Sequence, residues 1–389
     1  MKKVIFFILI LLIGVFLPSC KDPIDELEFD KYASNIPIIN KRVYANADNK
    51  NLQYFNNYLY GYGNYNAKTV IFRMNIETEK VDYIIEPFED NYGYFACFII
   101  TETGIIFARP YSGIEQMANG YKTVQYTALF EYDFELNLID IHKLEDQSLG
   151  APKRMVLGEN GYFGLITENG DTNYHSNFHI LSQDFEIVYT YSDPVEDYRY
   201  IDMLYDEGEF VIAAWQIGDY YNYENIDSYL LRFNLEDGFL LFQQLDVIDN
   251  FSISAIRLES HNQYMLLGSS RVNSWQLIGY DINSNSEILE TRDIDKDSED
   301  EALVNHLMIL DKDEEHYYFN AEIFYRRDDP YTVLLVTDLE FNQEEIIHLD
   351  SYAFCGVIVG DYIYVLTTDN HFKFMFSTYM YQIQKVLIN

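Results

Sequence analysis

Several residue types that usually mark function are scarce in this chain. There are only three cysteines in 389 residues, Cys20, Cys97 and Cys355, and no two have the short spacing of a zinc or dithiol site. There are eight prolines and no long Gly/Ser/Pro linker to divide the chain. Tryptophan occurs twice, at Trp215 and Trp275, so stacking platforms are few. Basic residues number 26 against 63 acids, a formal charge of −37. Such a surface repels phosphate backbones and excludes nucleic acid as a partner. The longest apolar run, Val4 to Leu17, has 14 residues, short of the ~20 a membrane-spanning helix needs. A Gly-rich phosphate loop, Gly-x-Ser-x-Gly and His-Glu-x-x-His are all missing, which argues against a nucleotide enzyme, an α/β-hydrolase and a zincin.

The chain is rich in aromatics, with 36 Tyr and 27 Phe. These residues favour half-buried pleated strands over a helical bundle or disorder. A sustained 3.6-residue period with helix caps is missing. Leu157-Gly158-Glu159-Asn160-Gly161-Tyr162-Phe163-Gly164 reads as a β-hairpin, because Asn-Gly accepts φ > 0 at both turn positions. The same hairpin recurs. Marked by the first residue of the second strand, it falls at Tyr58, Ile105, Tyr162, Phe210, Tyr264, Tyr317 and Tyr362, at intervals of 47, 57, 48, 54, 53 and 45. A second hairpin follows each of the first six, as in Phe72–Asn75 with Val81–Ile84 and Phe178–Leu181 with Glu186–Tyr189. Each unit is therefore four short antiparallel strands, the blade of a β-propeller. Seven units predict an all-β, seven-bladed ring over residues 36–389. The seventh unit runs out after Ile383, so its outer strand is expected from the N-terminal run Ile38–Tyr44, with Gln384–Ile388 as the alternative. No Trp-Asp, kelch or Asn-His-Leu repeat signature is present. Cys97 and Cys355 fall on innermost strands of non-adjacent blades, which predicts free thiols.

The N-terminus carries the most specific motif. Met1-Lys2-Lys3 is a basic start, Val4–Leu17 an apolar core, and Leu17-Pro18-Ser19-Cys20 closes it. The pattern is that of a signal peptide over 1–19, and it resembles the lipobox of bacterial lipoproteins, with Pro18 in place of the commoner small residue. The resemblance implies cleavage before Cys20 and lipidation of its thiol. Loss of Lys2 and Lys3 takes the charge from −37 to −39. Lys21-Asp22-Pro23-Ile24-Asp25-Glu26 looks like the export tag of Bacteroidetes-type surface lipoproteins. Residues 20–35 then read as a tether, and the address as the outer membrane or cell surface, with the bilayer as partner through the acyl anchor. The body is expected to be monomeric.

Sites are less legible. In a propeller the loops joining the second and third strands (b–c) share one face with the connections between blades, the usual ligand face. Here those segments hold Tyr62 and Tyr65, then Arg109 and Tyr111, His175, then Tyr220, Tyr221 and Tyr223, Arg271, Arg326 with Arg327, and His371. Four of the eleven arginines lie among them. Tyr gives rigid contact area with a polar tip, and Arg grips carboxylate or sulfate through two donors. The reading is a binding face for a glycan, anionic ones included, or a protein. The competing class is a polysaccharide lyase or glycoside hydrolase at the central mouth, drawing on Arg109, His175, Arg271, Arg326 and acids such as Asp193 or Asp249. A structural role in a surface complex is the third reading.

His175 and His179 would lie ~13 Å apart on a strand, too far to share a metal, and read as surface or loop histidines. Asp293, Asp295 and Asp297 match the first ligand positions of a calcium loop, but Ser298 and Val304 break an EF-hand. A looser calcium site over 293–301 is the single metal option, and a solvated acidic loop the better reading. No cofactor is implied.

Overall fold

A computed structural model describes residues 31–32, 34–37, 52–65, 68–85, 96–117, 120–144, 150–168, 176–191, 198–216, 227–236, 239–244, 251–270, 275–281, 287–293, 302–325, 331–340, 342–349, 353–368 and 381–388. They form seven sheets, and none of the described residues is α-helical.

Two short strands come first, β1 (Lys31–Tyr32) and β2 (Ser34–Pro37). Blade 1 is β3 (Leu52–Phe55), β4 (Tyr58–Tyr65), β5 (Lys68–Asn75) and β6 (Val81–Ile85). Blade 2 is β7 (Cys97–Ile100), β8 (Ile105–Met117), β9 (Gly120–Tyr132) and β10 (Leu138–Lys143). Blade 3 is β11 (Ala151–Leu157), β12 (Phe163–Glu168), β13 (Ser176–Leu181) and β14 (Ile187–Tyr191). Blade 4 is β15 (Tyr198–Asp206), β16 (Glu209–Gln216), β17 (Asp227–Asn234) and β18 (Phe239–Gln244). Blade 5 is β19 (Phe251–Ser260), β20 (Gln263–Ser270), β21 (Trp275–Asp281) and β22 (Glu287–Asp293). Blade 6 is β23 (Ala302–Lys312), β24 (His316–Tyr325), β25 (Tyr331–Asp338) and β26 (Gln343–Leu349). Blade 7 is β27 (Ala353–Val359), β28 (Tyr362–Thr368) and β29 (Tyr381–Leu387), with β2 as its outer strand.

The hairpin marks expected from sequence fall within one residue of the start of β4, β8, β12, β16, β20, β24 and β28. Local turn chemistry explains the agreement. Asn56 and Asn57, Asn160 and Gly161, Glu207 and Gly208, Asn262 and Gly360 all take φ > 0 in these a–b turns.

The apolar faces of the sheets meet at seven joints, one cluster per joint. Blades 1 and 2 share Tyr60, Ile71, Phe98, Phe107 and Phe130, and blades 3 and 4 share Ile166, Phe178, Tyr200, Met203 and Phe210. The seam between blades 7 and 1 holds Tyr364, Leu366 and Ile383 against Leu52, Leu59 and Phe72. Each large side chain so buried contributes roughly 1.5–3 kcal/mol. Side chains also stitch the open inner edges together. Gln53 Nε2 donates to the Phe98 carbonyl at 3.0 Å and its Oε1 accepts from Ile100 N at 3.1 Å. Asp202 Oδ2 accepts from Ile256 N at 3.2 Å, Arg257 Nη2 donates to the Ile309 carbonyl at 3.3 Å, and Asp311 Oδ2 accepts from Ile358 N at 2.7 Å. Burial raises the Asp311 carboxyl pKa, and the two backbone N–H donors on it work the other way.

The N-terminal closure is present, but earlier in the chain than expected. β2 pairs antiparallel with β29, Ser34 opposite Lys385 and Pro37 opposite Gln382, while Ile38–Tyr44 lies outside the described residues. Gln384 to Leu387 belong to β29, the third strand. β1 adds to blade 6, parallel to β26. Paired structure therefore begins inside the stretch read as tether. Pro37, unable to donate at its nitrogen, stands last on this edge strand.

Candidate functional site

Strand direction fixes the two faces of the ring. The first strand of each blade runs from the b–c face to the a–b turns, so the start of each innermost strand and the end of each second strand lie at the b–c face. There a repeated irregularity occurs. Register shifts by one between Pro152 and Arg154, Tyr200 and Asp202, Ile253 and Ala255, Val304 and His306, and Ala353 and Cys355. Five innermost strands thus carry a β-bulge at the same level, with Lys153, Ile201, Ser254, Asn305 and Phe354 as the extra residues. A bulge re-aims side chains and is common beside binding sites.

Around the bulges of blades 3–5 two charged triads are built. In the first, Glu168 at the end of β12 sits between two cations, with Lys153 Nζ 3.7 Å from Oε2 and Arg199 Nε 3.5 Å from Oε1. Lys153 also donates to the Tyr200 carbonyl at 3.1 Å. The Glu168 side chain is 5% exposed and that of Lys153 9%. Burial pushes the Lys153 ammonium down to about 8, against the pull of Glu168 and with the help of Arg199. Arg199 lies over the Trp215 ring, 5.6 Å from its centroid. In the second triad, Asp202 bridges Arg154 Nε at 3.0 Å and Arg257 Nη1 at 3.2 Å. Its oxygens also accept from Met203 N at 2.9 Å and Ile256 N at 3.2 Å. Each carboxylate therefore serves two cations.

The residues expected from sequence fall elsewhere. Tyr62 was expected in a loop and lies within β4. It is 3% exposed, edge-on to Phe107 at 5.2 Å, and its hydroxyl donates to the Ala96 carbonyl. Tyr65 ends β4 opposite Lys68. Arg109 and Tyr111, also expected in a loop, are in β8. Arg109 is 1% exposed with its guanidinium 4.6 Å from the Phe130 centroid. The segment 109–122 is a two-stranded ribbon paired as far as Met117 with Gly120, because Thr123, Val124, Tyr126 and Thr127 favour strand. His179, read as a surface or loop residue, is 1% exposed in β13 and bonded at both ring nitrogens, to Thr167 and Thr190, each at 3.0 Å. Cys20, His175, Tyr220, Tyr221, Tyr223, Arg271, Arg326, Arg327, His371 and residues 294–301 lie outside the described residues, so all of the candidate calcium loop except Asp293 does too. Among the described residues no cluster fit to hold a metal ion occurs. Cys97 and Cys355 form no disulfide, and burial pushes the Cys97 thiol up to about 12, which leaves it inert.

The triads escaped sequence reasoning, although a signal exists. Lys153-Arg154, Arg199, Asp202 and Arg257 interrupt runs that otherwise read as innermost strands, where charge is costly unless paired. Trp215 and Trp275 are in strands as expected, one near the end of β16 and one at the start of β21, both at the b–c face.

The opposite face differs. Asp206 accepts from Asn262 N at 2.9 Å, the Tyr264 hydroxyl at 2.6 Å and His261 Nδ1 at 3.0 Å. Burial alone would raise the Asp206 pKa, and these donors hold it below the usual range. That network pins turns. A groove of about 700 Å³ is lined by Glu259, Lys312, Asp313, Glu314, Tyr317 and Leu339.

No family model and no curated protein matches the sequence. Among solved structures the chain is similar to a puromycin hydrolase, at 11% identity and a TM-score of 0.55 over 93% of this chain, which spans 56% of that one. It is similar to the polysaccharide lyase Uly1, at 10% identity and a TM-score of 0.53, over 95% of this chain and 96% of that one. It also resembles the β-propeller domain of the Trilobed protease from Pyrococcus furiosus, at 11% identity and a TM-score of 0.52, over 90% and 98% of the two chains. Likeness at this identity shows the β-propeller fold alone.

Proposed function

We propose that the chain is a lipid-anchored, extracytoplasmic recognition module that binds a glycan at the b–c mouth of its propeller. The observation that carries this reading is the grouping of Trp215, Arg199, Glu168 and Lys153 at the b–c ends of blades 3 and 4. Arg199, 35% exposed and lying over the Trp215 ring, offers a guanidinium donor on an aromatic platform for hydroxyl groups, with the nearly buried Glu168 and Lys153 beside it. Anchoring rests on the Leu17–Cys20 motif. The strand direction of β1 and β2 is compatible with it: both run from the a–b side toward the b–c side, so the chain enters β1 on the side away from the mouth. Cys20→Ala should release the protein from membranes, and continued membrane association contradicts the anchor. A glycan array on the purified protein tests recognition. Specific glycans that are lost with Trp215→Ala support the reading, and an array with no binding contradicts it.

A lyase is the second reading, favoured by one feature: a buried amine at Lys153 whose pKa of about 8 makes it a usable base near neutral pH. Incubation with uronate polymers separates the two, since unsaturated products establish catalysis and intact polymer leaves binding alone.

A further inference from the structure

The second triad has a property the first lacks. Arg257 is fully committed: besides Asp202 it donates to the Ile256 carbonyl at 2.9 Å and the Ile309 carbonyl at 3.3 Å. Arg154 makes one ion pair, its Nε 3.0 Å from Asp202 Oδ1 without hydrogen-bond geometry, and its side chain is 33% exposed. Among the described residues neither terminal amino group of Arg154 has a partner. Asp202 cannot supply more, because its oxygens already serve two backbone N–H groups and two guanidinium groups. Among the described residues Lys153, Arg154, Arg199 and Arg257 thus face Glu168, Asp202 and, beside Arg257, Asp311, four cations against three acids. This local positive excess stands on the innermost strands of three adjacent blades in a chain of net charge −37. Low-dielectric walls on either side strengthen the field such a group makes.

We propose that Arg154 is the anchor of an anion subsite in the channel mouth that takes the carboxylate of an acidic saccharide. The planar guanidinium fork matches a planar carboxylate through two parallel hydrogen bonds, a geometry a lysine does not reproduce. Asp202 and Arg257 act as positioning residues that fix the stem and plane of Arg154 from blades 4 and 5. The inference names the ligand class for the recognition site proposed above and rests on that reading.

The test is titration calorimetry on the full-length protein in detergent micelles. Its probes are a uronate hexasaccharide, a sulfated hexasaccharide and a neutral hexasaccharide of equal length, with free glucuronate followed by NMR. The uronate oligomer should bind tightest. Arg154→Gln should weaken it at least tenfold without changing the neutral one, and Arg154→Lys should fall between, with melting temperatures confirming that both variants fold. Equal uronate affinity in Arg154→Gln overturns the subsite, as does equal affinity of wild type for acidic and neutral chains, and the latter leaves glycan recognition standing. A preference for the sulfated chain overturns the carboxylate assignment. If no oligosaccharide binds but glucuronate shifts signals that Arg154→Gln abolishes, the glycan reading fails and the subsite stands. If glucuronate is silent too, both fail.

Discussion

The innermost strands of blades 7, 1 and 2 and those of blades 3, 4 and 5 occupy equivalent places in one ring, yet they are built from different residues. β27, β3 and β7 hold no charged residue, whereas β11, β15 and β19 carry Lys153, Arg154, Arg199, Asp202, Asp206, Arg257 and Glu259. The same bulge shows the contrast residue by residue. The position after it is Cys355 in blade 7, Arg154 in blade 3 and Asp202 in blade 4. The fold therefore does not require charge at this level. An apolar or small residue closes the ring as well, and buried ion pairs are seldom a better source of stability than apolar packing. Three of the seven innermost strands are uncharged scaffold. The charged half costs desolvation, and the bonds of Asp202 and Arg257 across the blade joints offset part of it.

Asp202→Ala should break the charged half most severely. It strands two guanidinium groups and two backbone donors, an expected loss of about 3–5 kcal/mol in denaturant unfolding. Cys355→Ala, its counterpart on the apolar half, should cost about 1 kcal/mol or less. Similar losses would erase the distinction. Next in size is the seam of the apolar half. Deletion of residues 31–37 removes β1 and β2 and the outer edge of blade 7, with an expected loss of roughly 2–4 kcal/mol from the strand hydrogen bonds. Deletion of 21–30 should leave the melting temperature unchanged, and an equal drop in both would place the closure elsewhere.

The smallest effect is the pH response of Lys153. In the unfolded chain its amine titrates at the ordinary 10.5, and in the fold at about 8. Between those values the unfolded state binds more protons, so this group makes stability rise with pH across that window and adds no slope below it. Lys153→Met should flatten the rise, seen as a difference between the two proteins in urea midpoints at pH 7.5 and 9.5. Parallel midpoints would mean that the amine is not buried in solution.

Much of the scaffold was legible because it is written locally. Turns such as Asn56-Asn57 and Asn160-Gly161 fix hairpins through φ alone, and alternating Tyr, Phe and Ile mark the strands between them. Two errors came from the same local logic. Gly61-Tyr62-Gly63-Asn64 has a turn-like composition, yet pairing with β5 carries the strand through to Tyr65. Arg109 and Tyr111 read as loop residues, whereas cross-strand pairing over 109–122 makes a ribbon. The triads were hidden for a different reason. Arg154 meets Asp202, and Asp202 meets Arg257, each across about fifty residues and a blade joint, and the bulges that aim them leave no mark in composition.

Hydrogen–deuterium exchange of the full-length protein with and without a uronate hexasaccharide tests the central claim most directly. Protection concentrated on β11, β15 and β19, with β3, β7 and β27 unchanged, is the predicted result. Protection confined to the a–b turns, the outer strands or the apolar half of the wall would contradict it.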